Sequence, residues 1–218
     1  MKNYLFLDID GVLNAVGALL DPERGRAWQD FEAVSGERWG ETVSPEMIRH
    51  LNAIIVDHKV TVIWLSTWQD HAPAFGHKIG LEGSLDWPWL STEDARGEWG
   101  KHVSIQAYLN KLPGRNANVA WIDDDLGDEH DSALWAADNN ILALAPRAKH
   151  GITPAMLVQL RKHFARGTRV VTTMTRDGGI ADPGGSIAPG LSSLAQTIPP
   201  HAAAHAINEM RARRRFVR

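Results

Sequence analysis

The chain has 218 residues, 44% hydrophobic and 22% charged, with a formal charge of −3, which corresponds to one or two domains of ordinary globular composition. That balance gives no global reason to bind nucleic acid or an anionic membrane. The absence of Cys excludes disulfides, thiolate nucleophiles and cysteine-bound zinc.

Tyr4–Leu7 is an apolar run that predicts a buried strand stopping at Asp8. The segment Asp8-Ile9-Asp10-Gly11-Val12-Leu13-Asn14 then sets two carboxylates two residues apart, followed by a Gly that relieves a sharp turn. Residues 15–43, with Trp28, Phe31 and Trp39, form an insert too short for a large cap but long enough for a flap or small lid. Ser44-Pro45-Glu46 predicts a helix start, with a capping hydroxyl, proline at the first position and an acid in the first turn. Met47, Ile48, Leu51, Ile54 and Ile55 follow at helical spacing. The β-branched run Val60–Leu65 predicts a second strand, ending at Ser66.

A second insert, 68–99, carries Trp68, Trp87, Trp89 and Trp99 and one weakly marked strand candidate, Lys78–Leu81. Its aromatics suit either a platform for stacking a base or packing at the rim of a small domain. Lys101–Leu109 predicts a helix. Asn118–Ile122 predicts a third strand, running into Asp123-Asp124-Asp125, and Ile141–Leu144 a fourth. Thr153-Pro154 opens a last helix with Met156, Leu157, Leu160 and Phe164 on one face. Strands alternating with helices predict an α/β fold with a largely parallel sheet. The longest apolar runs fall far short of the about 20 residues of a membrane helix, so a soluble, cytoplasmic protein is expected.

From Gly167 onward there are seven Arg and no Lys against three acids. Residues 177–200 are rich in Gly, Pro and Ser, the composition of a linker or long loop. The expected organisation is therefore an acidic body over 1–166 and a basic tail over 167–218, with an Arg-rich end at 211–218 able to make weak nucleic-acid contacts.

Three predicted strands end in a polar side chain, Asp8, Ser66 and Asp123. Each alone could begin a turn, but in an open parallel sheet they would converge beyond the carboxyl ends of the strands, where ligands bind. So many carboxylates in one cleft call for a cation, and an all-oxygen donor set favours Mg²⁺.

The order Asp8-x-Asp10-Gly-Val-Leu, Ser66 after a strand, Lys101, then Asp123-Asp124 after a strand resembles the four motifs of the haloacid dehalogenase (HAD) superfamily over roughly residues 3–165. With Trp68 just after the Ser, it is closest in flavour to small bacterial and phage members associated with RNA repair. Response-regulator receivers use similar residue types, but there the Lys comes last. The resemblance implies a Rossmann-like three-layer sandwich with a minimal or small cap. It also implies a Mg²⁺-dependent phosphatase: Asp8 as nucleophile forming an aspartyl-phosphate, and Asp10 as general acid and then base. Mg²⁺ would sit on Asp8, the Asp10 carbonyl, Asp123 and Asp124, with Ser66 and Lys101 holding phosphate oxygens. Backbone N–H groups near Ile9, Asp10 and Thr67 would complete the cradle, with Trp68 beside the substrate. Asp rather than Thr at position 10 points away from the long-lived phosphoenzyme of cation pumps.

The expected substrate is a phosphomonoester, either a small metabolite or a nucleotide or nucleic-acid end. A catalytically silent binding module tethered through the basic tail is the reading from another class. Oligomeric state is left open.

Overall fold

A computed structural model describes residues 1–18, 27–34, 40–93, 98–112 and 117–166. The tail beyond them, with its expected linker and Arg-rich end, lies outside the described residues, as do Trp39 and much of the first insert.

The central sheet has four strands, β1 (Lys2–Leu7), β4 (Val60–Trp64), β5 (Ala117–Ile122) and β6 (Leu142–Leu144), in the order β4-β1-β5-β6. All three pairings are parallel. β1 is central, with Leu7 opposite Trp64 on one side and Ile122 on the other. Successive side chains of a strand point to opposite faces, and the apolar residues divide accordingly. Leu5, Leu7, Val62, Trp64, Ala120 and Ile122 belong to one core cluster, while Tyr4, Phe6, Ile63, Val119 and Trp121 belong to another.

Helices cover both faces. On the first lie α1 (Pro45–Asp57) and α5 (Pro154–Ala165), which bury Met47, Leu51 and Ile54 and Leu157, Leu160 and Phe164. On the second, α3 (Gly100–Asn110) and α4 (His130–Asp138) bury Ile105 and Ala136. This is the expected three-layer α/β/α sandwich. Burying each large aliphatic side chain contributes about 1.5–3 kcal/mol, so α1 docks through its stripe. Its start is as predicted: the Ser44 hydroxyl accepts from the Met47 N–H at 3.0 Å, with Pro45 at the first position. Thr153 caps α5 in the same way.

One expected element is absent. Lys78–Leu81 is no strand, because Lys78 ends helix α2 (Ala72–Lys78) and Gly80, at φ +84°, turns the chain away. The Gly80 N–H reaches the His77 carbonyl and the Leu81 N–H the Gly76 carbonyl, the paired bonds of a left-handed glycine cap. The sheet edge is extended instead by residues 88–90. The Trp64 N–H donates to Pro88 O at 2.8 Å and the Leu90 N–H to Trp64 O at 3.0 Å, forming a parallel bridge at Trp89.

The described part of the first insert contains a small antiparallel pair, β2 (Glu32–Val34) and β3 (Glu41–Val43), and a buried Trp28 whose indole donates to Ile152 O at 2.7 Å. Trp64 and Trp121 are fully buried, and Trp87 and Trp99 each pack on one of them at 5.2 Å. These four rings serve packing. Among the described residues no helix is long and apolar enough to cross a membrane.

Candidate active site

The parallel order brings the three polar strand ends to one edge: β1 leads into Asp8, flanked by β4 running to Ser66 and β5 running to Asp123. Backbone bonds carry the ladder one residue further, from Asp8 N to Ile122 O and from Asp123 N to Leu144 O, each 3.1 Å. Asp8 and Asp123 are therefore held by the sheet itself. Both are buried, as is Ser66.

Beyond Asp8 the chain folds into a tight turn in which the Ile9 carbonyl accepts from the N–H groups of Val12, Leu13 and Asn14. Gly11 sits at φ +74°, and a Cβ there would lie 2.2 Å from the Asp124 carboxyl carbon. Glycine is thus required twice over, for its backbone angle and for the side chain that crosses it. The Asp8 Oδ1 accepts from the Ile9 N–H at 2.7 Å.

Lys101 enters from the first turn of α3, where Gly100 has no side chain because the Thr92 and Glu93 carbonyls lie 2.4 Å from where its Cβ would be. The ammonium, 3% exposed, donates to Asp8 Oδ2 at 2.5 Å and to Asp123 Oδ2 at 2.8 Å. Asp125 stands 4.0 Å away, and the Trp99 ring centroid 5.6 Å away. Burial alone would push the Lys101 pKa down, but Asp8 and Asp123 outweigh it and hold the ammonium far above the ordinary lysine value. Asp123 is pushed well above the usual carboxylate range, first by burial and then by Asp8, with Lys101 opposing.

Asp8, Asp123 and Asp124 offer carboxylate oxygens that all lie within 4.8 Å of one another. Two buried carboxylates share one ammonium, so with Asp124 the cluster holds surplus negative charge. An oxygen donor set of that charge fits a hard divalent cation such as Mg²⁺.

Asp10 stands outside that group of three carboxylates. Its Oδ1 accepts from the Asn14 side-chain amide at 2.8 Å and its Oδ2 from the Trp68 indole at 3.1 Å. Trp68 is half-buried against Phe75 of α2, with ring centroids 4.7 Å apart. The Trp68 N–H reaches the Ser66 hydroxyl oxygen at 3.4 Å, and Thr67 between them is exposed.

The predicted residues therefore form two adjoining groups: Asp8, Lys101, Asp123 and Asp124 around the cation cluster, and Asp10 with Trp68 on the turn beside it. Sequence reasoning assigned no role to Asn14, although it lies four residues after Asp10 within the same motif. Trp99 and Asp125 as neighbours of Lys101 were likewise unassigned.

No curated protein matches the chain closely enough to count as a relative. The family model described as the HAD domain in Swiss Army Knife RNA repair proteins matches residues 4–156, well over half the chain and every motif that forms the cluster. With the parallel sheet, the strand-end aspartates and the buried lysine in place, the chain belongs to this family of HAD domains.

Proposed function

We propose that this HAD-like hydrolase is a Mg²⁺-dependent phosphatase that cleaves the terminal phosphate of a nucleotide or nucleic acid through an aspartyl-phosphate on Asp8. The observation that carries the reading is the buried Asp8–Lys101–Asp123 arrangement at the ends of adjacent parallel strands, with Asp124 within reach. The nucleic-acid end is favoured by the family description, which names RNA repair proteins.

The cation would be held by Asp8, Asp123, Asp124 and the backbone carbonyl of Asp10. Bound there, Mg²⁺ supplies the positive charge that lets an anionic carboxylate approach an anionic phosphate. The remaining steps belong to the protein's own side chains. An Asp8 carboxylate oxygen attacks phosphorus, the bond from phosphorus to the leaving oxygen breaks, and Asp10 gives that oxygen its proton. Water then attacks the aspartyl-phosphate, Asp10 takes back a proton, and the bond between Asp8 and phosphorus breaks to release inorganic phosphate. Lys101 and the Ser66 hydroxyl bind the phosphoryl oxygens, assisted by the N–H groups around Ile9, Asp10 and Thr67. Trp68 borders the leaving group. Residues 1–166 carry this chemistry, and the basic 211–218 segment adds weak contacts to a phosphate backbone.

The test is turnover with and without Mg²⁺ on p-nitrophenyl phosphate, mononucleotides, sugar phosphates and oligonucleotides phosphorylated at the 5′ or 3′ end. Oligonucleotides are expected to turn over fastest, and a preference for sugar phosphates would assign a small-metabolite phosphatase instead. Asp8→Asn is expected to abolish turnover of every substrate, and full activity in that variant would remove the mechanism. No Mg²⁺-dependent hydrolysis across the panel would leave a silent binding module.

A further inference from the structure

We propose that Trp68 is a positioning residue for Asp10: its indole N–H and the Asn14 amide clamp the two carboxylate oxygens and aim the acid at the leaving group. This inference rests on the phosphatase reading above and assigns a device within that site.

The clamp is built from three separate segments. Asn14 comes from the turn after β1, and its side-chain Oδ1 accepts from the Thr42 N–H of β3 at 2.8 Å, which fixes the orientation of the amide. Trp68 comes from the turn after β4. Its ring packs at 4.7 Å on Phe75, a core residue of α2. The rotamers of both donors are therefore set by contacts outside the Asp10 turn, and the 2.8 and 3.1 Å bonds transmit that order to the carboxylate.

An indole N–H can only donate, so Trp68 cannot exchange a proton with Asp10 or with substrate. A carboxylate has about four acceptor sites, and the two donors take one on each oxygen. A proton in transit is compatible with both bonds. The clamp instead restricts rotation about the carboxyl bond, the motion that would turn the acid away from a leaving oxygen. Loss of such orientation lowers the rate of the proton-dependent step, by as much as about 100-fold for a displacement of about 1 Å.

A competing role for Trp68 is a stacking surface for a base. That role predicts a change in KM for nucleotide substrates without regard to the leaving group. A positioning role predicts the opposite: kcat falls where the leaving oxygen needs a proton, and much less where it does not.

The experiment compares kcat for p-nitrophenyl phosphate, whose phenolate leaves unprotonated, with kcat for β-glycerophosphate, whose alkoxide needs a proton. The full chain is used with saturating Mg²⁺. Trp68→Phe retains an aromatic ring against Phe75 and deletes the N–H. It is expected to lower the alkyl-to-aryl kcat ratio about tenfold, with KM for AMP within about twofold of the parent. Trp68→Leu, which has no side-chain donor, gives the same test if Trp68→Phe does not fold. An unchanged ratio, or a raised KM for AMP with kcat intact, would overturn the proposal.

Asp10→Asn is measured on the same pair of esters. If it lowers the ratio and Trp68→Phe does not, the clamp alone is wrong. If Asp10→Asn leaves the ratio unchanged, or if the parent hydrolyses neither ester, the acid role of Asp10 falls and the clamp falls with it.

Discussion

Lys101 connects chemistry to stability at the scale of a single side chain. Asp8, Asp123 and Lys101 are 4%, 0% and 3% exposed, so solvent does little to screen the charges they present to one another. Removing one partner from a buried ionic group costs about 3–5 kcal/mol, because the remaining charge is left uncompensated. Lys101→Met is therefore expected to abolish turnover and to lower Tm strongly in EDTA. Mg²⁺ is expected to restore much of the Tm while leaving the variant inactive, since a cation can balance Asp8 and Asp123 but cannot replace the phosphate-binding role proposed for the lysine. Thermal melts of parent and variant with and without Mg²⁺ check this, and an equal Tm loss in both conditions would argue that the carboxylates do not bind the ion. Asp8, Ser66 and Asp123 were legible as polar residues ending apolar runs, and the roles of Asp10, Lys101 and Asp124 came from the resemblance of the ordered motifs. Asn14 was not, because an Asn four residues into a turn has many uses, and its amide acquires this one from the Thr42 N–H of a distant hairpin strand.

In and beside the helices, three histidines have their pKa lowered chiefly by burial. His102 of α3 lies beside the Ser132 hydroxyl of α4, 3.1 Å away, and the Gln106 amide, 2.9 Å away. Burial pulls its pKa below the ordinary 6.5, against the opposing charges of Glu98, Asp131 and Glu129. His163 of α5 is lowered by burial and by Arg166, with a backbone bond to Val119 opposing. His150 is lowered by burial and two nearby cations, Lys149 and Arg147. A histidine whose folded pKa lies below its unfolded one binds more protons when unfolded. Its contribution is intact above about pH 6.5 and is lost as pH falls from there toward the depressed folded values. The urea midpoint is expected to drop between pH 7 and pH 5, and His163→Phe to make that drop shallower. A parent-like slope in the variant would contradict the assignment. The elements themselves were unequally readable. Apolar stripes and caps marked α1 and α5, whereas α4 buries only Ser132 and Ala136 and leaves no hydrophobic period to detect. Lys78–Leu81 has the apolar content of a strand, but Gly80 makes it a helix end.

For the whole molecule, the sheet order determines how the site is assembled, and the basic composition of residues 167–218 underlies the prediction for the tail. The carboxylates follow β1 and β5, the serine follows β4, and the lysine is on α3, all within residues 1–166. A chain ending at Arg166 is expected to keep Mg²⁺-dependent hydrolysis of p-nitrophenyl phosphate and to lose salt-sensitive oligonucleotide binding, because binding through Arg–phosphate contacts weakens steeply with salt. Turnover and fluorescence anisotropy at two salt concentrations test both halves. Loss of turnover on truncation would place part of the catalytic machinery in the tail.

The amino-acid sequence alone determined the fold class, the four ordered motifs and the presence of clustered acids, because period, capping and charge are local properties that survive without neighbours. Tertiary structure decided which polar groups meet. The parallel order β4-β1-β5 sets Asp8 between Ser66 and Asp123, the buried Lys101 ammonium is shared by Asp8 and Asp123, and the Asn14 and Trp68 bonds to Asp10 form only when two loops and a hairpin strand are brought together in space. Convergence of that kind depends on contacts between residues far apart in the chain, which no local pattern encodes.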